Sequence, residues 1–171
     1  LNSIQHQILT HAINALKTTS TSTTHTITQT LTTTDYLSTQ LLPKHLRSVH
    51  TKTTLTNYHN NCNQNFKTFF PHKIPKHITF NTSLTHLSTG HGHFNSYYHK
   101  FFPNKQKKCF CGHSEQTPTH LLHHCPRFNA YRPHILTTQN THQSLENKIN
   151  FTQIQNFIQT MYKQTIQLNN V

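Results

Sequence analysis

The sequence predicts a mainly α fold made of small helical modules, and two observations lead to this prediction. Apolar residues recur three and four positions apart along most of the chain, which is the spacing of one face of a helix. Prolines and glycines interrupt these stripes and separate short helices from one another. Only 32% of the 171 residues are hydrophobic, and the predicted core is therefore thin.

The N-terminal segment predicts two helices joined by a threonine-rich run. Ser3 suits the N-cap of the first helix. Its apolar stripe is Ile4, Ile8, Ala12 and Ala15, with Leu9, Ile13 and Leu16 beside it. Residues 18–28 are low in complexity and rich in β-branched threonine, which fits a short edge strand or a disordered tract. A second helix is predicted from Leu31 to Leu42 and ends before Pro43.

The middle of the chain predicts three further apolar stripes at helical spacing. They are, in order, Leu46, Val49, Leu55, Tyr58 and Cys62; then Phe80, Leu84 and Leu87; then Phe94, Tyr97, Tyr98 and Phe101. The Phe-Phe-Pro at residues 69–71 stops the first stripe, Gly90 the second and Pro103 the third. Gly90 and Gly92 bracket one histidine, so we expect a turn there with backbone angles that suit glycine.

The C-terminal part predicts two short helical segments and one long helix. Residues 117–123 form the first segment, with Pro118 at its start, and Pro126 begins the second. The second segment carries Phe128, Tyr131 and Ile135. The long helix is predicted at residues 150–168, with Asn150 as its cap. Its buried stripe is Ile154, Phe157, Ile158, Met161 and Thr165.

Three of the four cysteines lie in one short window that also contains a histidine. The residues are Cys109, Cys111, His120 and Cys125, spaced C-x-C-x8-H-x4-C. Thiolate and imidazole are ligands that zinc prefers, and four of them can close a tetrahedron around one ion. Gly112 allows the sharp turn that would aim the first two sulfurs at one point. We therefore predict a structural zinc site.

Two alternatives to a zinc site stay open for this cysteine window. In the first, the thiols are small buried side chains that pack a helical core. A disulfide framework is the second alternative, although a single residue between Cys109 and Cys111 disfavours a bridge between those two. The choice of histidine also stays open at this point. With 18 histidines in the chain, His113, His123 and His124 compete with His120 for the same ligand position.

Positive charge surrounds the cysteine window. The formal net charge is +12 and the pI is about 9.9, values that normally indicate nucleic acid or an anionic membrane surface as the partner. The flanking cations are Lys105, Lys107, Lys108, Arg127 and Arg132. We expect them to contact phosphates. A merely solvated face is the alternative. The residues whose codons begin with guanine number only 11, and this compositional bias, which includes aspartate and glutamate, would by itself produce an excess of positive charge.

The sequence also bears on location. No stretch approaches the roughly 20 apolar residues that cross a bilayer, so we expect no membrane partner. The chain opens Leu-Asn-Ser-Ile-Gln, without the basic start and apolar run of a signal peptide. Together with the predicted zinc thiolates, this favours a reducing, intracellular compartment, the nucleus or the cytoplasm.

Five short motifs occur together between about residues 45 and 135. They are Phe-Phe-Pro (69–71), Leu-Ser-Thr-Gly-His-Gly-His-Phe-Asn-Ser-Tyr (87–97), Cys-x-Cys-Gly (109–112), Gln-Thr-Pro-Thr-His-Leu-Leu (116–122) and Cys-Pro-Arg-Phe (125–128). This combination resembles the tail of arthropod non-LTR retrotransposon polyproteins, which follows their reverse transcriptase and ribonuclease H domains. In the family pattern His120 is the zinc ligand. Tyr58 and Cys62 stand where the family usually has two tryptophans.

The resemblance implies a division of the chain. Residues 1–42 would be a remnant of the end of a ribonuclease H domain, 43–79 a helical linker, 80–136 a Cys-Cys-His-Cys zinc-knuckle module, and 137–171 a C-terminal helix. His25 and Asp35 stand ten residues apart, as at the end of that hydrolase fold. A single acid does not hold the two magnesium ions of such an enzyme, so no catalysis is expected from this chain alone.

The function that the resemblance implies is nucleic-acid binding by a zinc knuckle, with RNA or DNA and the rest of the parent polyprotein as partners. Flanking cations would meet phosphates, and Tyr97, Tyr98, Phe110 or Phe128 would stack on unpaired bases. Two alternatives stay open. One is a decayed reading frame without a selected activity, and the other is an active ribonuclease H completed by residues outside this chain.

Overall fold

The computed structural model describes residues 2–12, 19–138 and 140–169. Within these ranges the protein is mainly helical and contains no strand, which confirms the predicted fold class. The α-helices are α1 (Asn2–Ala12), α2 (Thr21–Thr28), α3 (Thr33–Leu41), α4 (Lys44–Asn60), α5 (Gln64–Phe69), α6 (Thr82–Thr89), α7 (Asn95–Phe101), α8 (Ile135–Thr138), α9 (Thr141–Glu146) and α10 (Lys148–Asn169). A π-helical turn at His120–His124 and a 3-10 turn at Pro126–Phe128 lie between α7 and α8.

The threonine-rich run forms helix α2, so the expected short strand or disordered tract is wrong for the part of residues 18–28 that the structure describes. The Ser20 side chain caps the helix by accepting a hydrogen bond from the backbone N–H of Thr23. Three threonine hydroxyls along the run donate to the carbonyl four residues earlier. These bonds satisfy the hydroxyls within the helix, and they offset the low helix propensity of threonine.

The first helix differs from its prediction. It begins at Asn2, so Ser3 is not its cap. Ile4 and Ile8, the start of the expected buried stripe, are 59% and 63% exposed, while Thr10 is buried. Leu9 is half-buried and Ala12 is exposed, and the last members of that stripe, within residues 13–16, lie outside the described residues. The N-terminal helices α1 to α4 contact one another around α2 and α4.

Several predicted boundaries are confirmed. Helix α3 ends just before Pro43, and α6 ends at Gly90, whose φ of 72° lies in the left-handed region that glycine adopts readily. Helix α7 carries the aromatic stripe and ends before Pro103. Asparagine side chains cap the helices on either side of the Phe-Phe-Pro, because Asn63 accepts from Phe66 and Asn81 accepts from Leu84.

The hydrophobic core lies in the second part of the chain, where α10 packs against α6 and α9, and α5 packs against α6 and α9. Its fully buried side chains include Phe66, Phe69, Phe70, Leu84, Leu87, Phe94, Leu121, Leu122, Phe128 and Ile154. The predicted stripe of α10 is buried throughout. The helix begins two residues before the predicted cap Asn150, and Asn147 instead accepts a hydrogen bond from Ile149 N–H. The domain divisions stay predictions.

Among the described residues, no helix combines the length and apolar character needed to span a bilayer.

The turn at Gly92 fastens α6, α7 and α10 together. The Tyr162 hydroxyl accepts a hydrogen bond from His93 N–H and contacts the ring of His86. Gly92 is buried in this contact. A Cβ added there would lie 2.8 Å from His86 Cβ and 2.9 Å from the Tyr162 hydroxyl. The glycine is required by close approach of neighbouring side chains.

We expect Gly92→Ala to lower the free energy of unfolding by about 1–3 kcal/mol, because the methyl group overpacks a rigid contact. Thermal unfolding measures the loss. In a Tyr162→Phe background, where one of the two clashing atoms is absent, the same substitution should cost less. Equal costs in the two backgrounds would contradict the close approach of the hydroxyl.

Candidate metal centre

The structure brings together the four residues predicted as metal ligands. The three sulfurs and one imidazole nitrogen of Cys109, Cys111, His120 and Cys125 all lie within 4.8 Å of one another. Cys109 Sγ is 3.9 Å from Cys125 Sγ, and Cys111 Sγ is 3.2 Å from His120 Nε2. Such a group could hold a metal ion, and it is the one cluster of three or more potential ligands in the described part of the chain.

The first two cysteines sit on a tight loop that we call the knuckle loop, residues 107–116. Backbone hydrogen bonds close it, with Cys109 N–H donating to His113 O and Gln116 N–H donating to Lys107 O. Gly112 has a φ of 93°, as the sharp turn after the second cysteine requires. The N–H of Gly112 donates to Cys109 O at 2.9 Å, and the turn thereby aims both sulfurs to one side.

The other two ligands are brought together by the π-helical turn. In an α-helix, residues five apart point about 140° away from each other, so His120 and Cys125 would diverge. The backbone N–H of Cys125 instead donates to His120 O at 2.7 Å, which is the five-residue hydrogen bond of a π-helix. This wider turn places the two side chains one above the other. This π-helical turn departs from the plain helical turn that the sequence predicts at residues 117–123.

The surroundings separate His120 from the three competing histidines. Both ring nitrogens of His123 are engaged, with Leu136 O and with the Thr141 hydroxyl. His124 is exposed and lies outside the cluster. The ring of His113 stacks on that of His120, with centroids 4.1 Å apart, and its Nδ1 bonds to Glu115.

Burial sets the protonation of the ligand group. Desolvation raises the pKa of Cys109 to about 12, and it also raises the pKa of Cys125. Slight burial acts in the same direction on Cys111, but hydrogen bonds from the backbone of His113 and from the two other thiols outweigh it and lower the pKa of Cys111. Two buried thiols therefore stay protonated unless a cation replaces their protons.

The imidazole is held in the form that binds metals. Burial, together with the nearby His113, His124 and Arg132, lowers the pKa of His120 to about 4, so the ring is neutral at pH 7. Its Nε2 faces the sulfur of Cys111. Its Nδ1 is buried and has no hydrogen-bond partner among the described residues.

The alternatives to a metal site fare differently. A disulfide framework is wrong, because all four cysteines are free thiols. Cys109 and Cys125 do belong to the hydrophobic core, as the packing alternative expects, whereas Cys111 is only partly buried. Core packing and metal binding are compatible here. Cys62 lies apart from the cluster, where its sulfur contacts Thr26 Oγ1 at 3.5 Å.

Gln116 ties the knuckle loop to the helical core. Its side-chain oxygen accepts hydrogen bonds from Asn95 N–H and from the Asn169 amide, both at 2.9 Å. Its backbone oxygen accepts from the Ser96 hydroxyl at 2.8 Å. Gln116 is completely buried, so these bonds are shielded from water. The loop is therefore fixed to the start of α7 and to the end of α10.

The five flanking cations do not share one environment. Lys105, Lys108 and Arg127 are exposed. Lys107 is also exposed, but its Nζ forms an ion pair with Glu115 at 2.7 Å. Arg127 lies over the ring of Phe110, with its Cζ 5.5 Å from the ring centroid.

Arg132, which is predicted to bind phosphate, makes several hydrogen bonds within the fold. Its guanidinium donates to Leu122 O and to Cys125 O, each at 2.8 Å, and to the Asn129 side chain. The Leu122 carbonyl lies in the π-helical turn, and the Cys125 carbonyl, just after it, also accepts from Phe128 N–H at 3.2 Å. Arg132 therefore closes the turn that carries two of the candidate ligands, and its guanidinium donors are engaged within the fold.

Two of the aromatic residues predicted to stack on bases are buried. Tyr97 and Phe128 are only 7% and 1% exposed, so neither presents a ring face to solvent. Tyr98 and Phe110 are partly exposed. The exposed rings nearest in sequence to the flanking lysines are Phe101, predicted as part of an apolar helical stripe, and Phe102, to which no role was assigned from the sequence. Their position before three lysines was the available signal.

His25 and Asp35, the predicted hydrolase remnants, both contact Tyr58. The rings of His25 and Tyr58 are 5.3 Å apart, and the Tyr58 hydroxyl donates to the Asp35 carboxylate. Burial opposes ionisation of Asp35, but hydrogen bonds from Thr32 and Tyr58 outweigh it and lower the pKa of this carboxyl. His25 is fully buried in α2, and burial lowers its pKa. The pair forms part of the packing between α2, α3 and α4.

Comparison of the chain with protein families, with curated protein sequences and with solved structures finds no match.

We expect Arg132→Ala to lower the free energy of unfolding by about 1–3 kcal/mol, because it removes the charged hydrogen bonds to Leu122 O and Cys125 O. Arg132→Lys should recover little, since an ammonium does not reproduce the planar fork. Arg127→Ala is the control, and it should change stability by less than about 0.5 kcal/mol. Chemical denaturation measures all three. Similar losses for Arg127→Ala and Arg132→Ala would contradict the structural role.

Proposed function

We propose that this chain is a nucleic-acid-binding module organised by one structural zinc ion. The observation that carries the proposal is the convergence of three sulfurs and one imidazole beside exposed cations. Zinc is the ion that fits this donor set, because thiolates with one imidazole in a closed four-ligand group are typical of structural zinc. Cys109, Cys111, His120 and Cys125 would hold it, and the ion would fix the knuckle loop.

The binding partner in this proposal is RNA or DNA, contacted through its phosphates. Lys105, Lys108 and Arg127 are exposed around the zinc ligands, and Lys107 is available if its ion pair with Glu115 exchanges. Cations clustered on one compact module attract a polyanion regardless of its sequence. The positive net charge comes partly from the scarcity of acids. The salt-dependence experiment therefore compares lysines beside the candidate zinc ligands with a lysine elsewhere.

We further propose that the chain belongs to a non-LTR retrotransposon polyprotein, on the strength of the motif resemblance. The N-terminal helices supply independent support for a neighbouring domain. Helices α1, α3 and α4 expose large apolar side chains, namely Ile4, Ile8, Tyr36, Leu37, Leu41, Leu46 and Val49. Exposed apolar surface of this kind suits contact with another part of a longer protein. Reduced zinc thiolates also suit an intracellular location, in the nucleus or cytoplasm.

In this proposal the chain binds and does not catalyse. A hydrolase of the ribonuclease H kind needs several carboxylates around two metal ions. The three acids of the chain each have a different partner instead. Asp35 accepts from Tyr58, Glu115 pairs with Lys107, and Glu146 pairs with His142. A decayed reading frame is the competing hypothesis, favoured by the skewed composition, and it predicts neither zinc retention nor binding.

The zinc ligands are tested by metal analysis of purified protein. Wild-type chain should retain about one zinc ion, and Cys111→Ser should lose it together with several kcal/mol of stability, since ligation contributes on the order of 10 kcal/mol in small zinc modules. Cys62→Ser is the matched control, because Cys62 is also a free thiol but lies outside the ligand group. Equal zinc loss in the two variants would refute the ligand assignment.

Phosphate binding is tested by the salt dependence of affinity for an oligonucleotide. Affinity should fall steeply with salt, and Lys105→Ala or Lys108→Ala should each reduce the slope of log K against log salt by about 1. Lys44→Ala removes another exposed cation, at the start of α4, and serves as the control. If Lys44→Ala lowers the slope as much, total charge rather than placement drives binding. Absence of both zinc and binding would favour the decayed frame.

A further inference from the structure

The end of α7 exposes two adjacent aromatic rings. Phe101 and Phe102 are 54% and 56% exposed, although the phenylalanines of α5 and α10 are buried. Exposing two large apolar rings to water is unfavourable in free energy unless a partner covers them. The pair therefore marks a surface that is unexplained by the fold.

The two rings are fixed rather than loosely attached. Phe102 N–H donates to Tyr98 O, and Lys105 N–H donates to Phe102 O, both at 2.9 Å. The ring of Phe101 packs edge-on against Tyr97, with centroids 5.1 Å apart. Tyr97 is itself buried. One part of each residue is thus anchored in the structure while ring surface remains open to solvent.

Lysines lie close to the pair in sequence, and one of them, Lys105, contacts it. Lys105 Nζ lies 5.9 Å from the centroid of Phe102 and 5.5 Å from that of Tyr98. Lys100 and Lys108 are exposed, and neither forms an ion pair with a carboxylate in the described part of the chain. The acid nearest in sequence, Glu115, is paired with Lys107. The lysines near the aromatic pair in sequence therefore have no carboxylate partner among the described residues.

Helix α7, which carries Phe101 at its end, is joined at its start to the knuckle loop. The Asn95 side chain, at the start of α7, donates to Lys108 O, the residue before the first ligand Cys109. Ser96 and Gln116 link the same two segments. Helix α7 and the knuckle loop therefore keep a fixed relation.

We propose that Phe101 and Phe102 are a stacking platform for unpaired bases, so that the module binds single-stranded RNA or DNA in preference to a duplex. This inference rests on the proposed nucleic-acid binding and specifies its ligand. Every base has a flat face that can stack on an aromatic ring, whereas bases in a duplex are already stacked on one another. Lysines beside the rings meet the phosphates of the same strand. Rings amid cations thus match both halves of a nucleotide.

The first experiment uses the absence of tryptophan from the chain. Phe102→Trp places a single fluorophore at the platform and keeps an aromatic face there. A single-stranded 12-mer should quench its emission, and the duplex of the same sequence should quench it much less. Tyr36→Trp is the matched control, because Tyr36 is also 54% exposed but lies in α3. Equal quenching at both positions would overturn the platform.

The second experiment compares affinities in the zinc-loaded protein. The double variant Phe101→Leu, Phe102→Leu keeps apolar side chains but removes the flat faces. It should bind the single strand on the order of tenfold more weakly or worse, while duplex affinity and zinc content stay unchanged. Tyr36→Leu should alter none of these values. Parallel arms with RNA and DNA strands compare the two sugars.

The outcomes separate this inference from the function on which it rests. If the wild-type chain binds single strand and duplex equally, or the double variant loses neither, the platform is refuted while phosphate binding stands. If no nucleic acid binds at all, the proposed function fails as well. Vesicles with anionic headgroups provide the last arm. Binding to them that depends on both phenylalanines, without single-strand preference, would show that the rings serve a lipid surface and would overturn the proposal.

Discussion

The confinement of three sulfurs and one imidazole nitrogen within 4.8 Å of one another is the constraint on which the second part of the structure depends. Two of the thiols are buried, and burial raises their pKa, so without a cation they remain neutral. A divalent ion reverses this preference, because it stabilises the thiolates more than burial destabilises them. The resulting free energy would support a chain whose apolar core is small.

The metal group is linked to the helical core by packing as well as by hydrogen bonds. Phe128 follows the last ligand by three residues, and its ring contacts Phe110 in the knuckle loop at 5.9 Å and Phe157 in α10 at 6.5 Å. Gln116 fixes the same loop to Asn169. A change in the position of the four candidate ligands would therefore also disturb the packing of α10. If a metal ion binds there, its loss would affect α10 as well as the knuckle loop.

The sequence was most informative where one residue type has one physical use. Gly90 ends α6 because few other residues readily adopt its left-handed backbone angles. The apolar residues of α10 share one face of the helix, and that face is the buried one. The sequence was least informative where a residue has two uses. Threonine favours strands on average, but in α2 its hydroxyls bond back to the helix. Arg132 has the charge to bind phosphate, yet its bonds to Leu122 O and Cys125 O come from tertiary contacts that spacing does not reveal.

The scarcity of acidic residues affects the helix caps and the surface charge differently. Helix N-termini, which often use aspartate, are capped here by neutral side chains: Ser20, Thr32, Asn63, Asn81 and Asn140. Neutral caps satisfy the backbone equally well, so the helices survive the loss of acids. The surface charge, in contrast, stays unbalanced, because few carboxylates are present to pair with the lysines. Composition thus sets the total positive charge, while the fold places Lys105 against the exposed ring of Phe102 and bonds the backbone of Lys108, beside Cys109, to the start of α7.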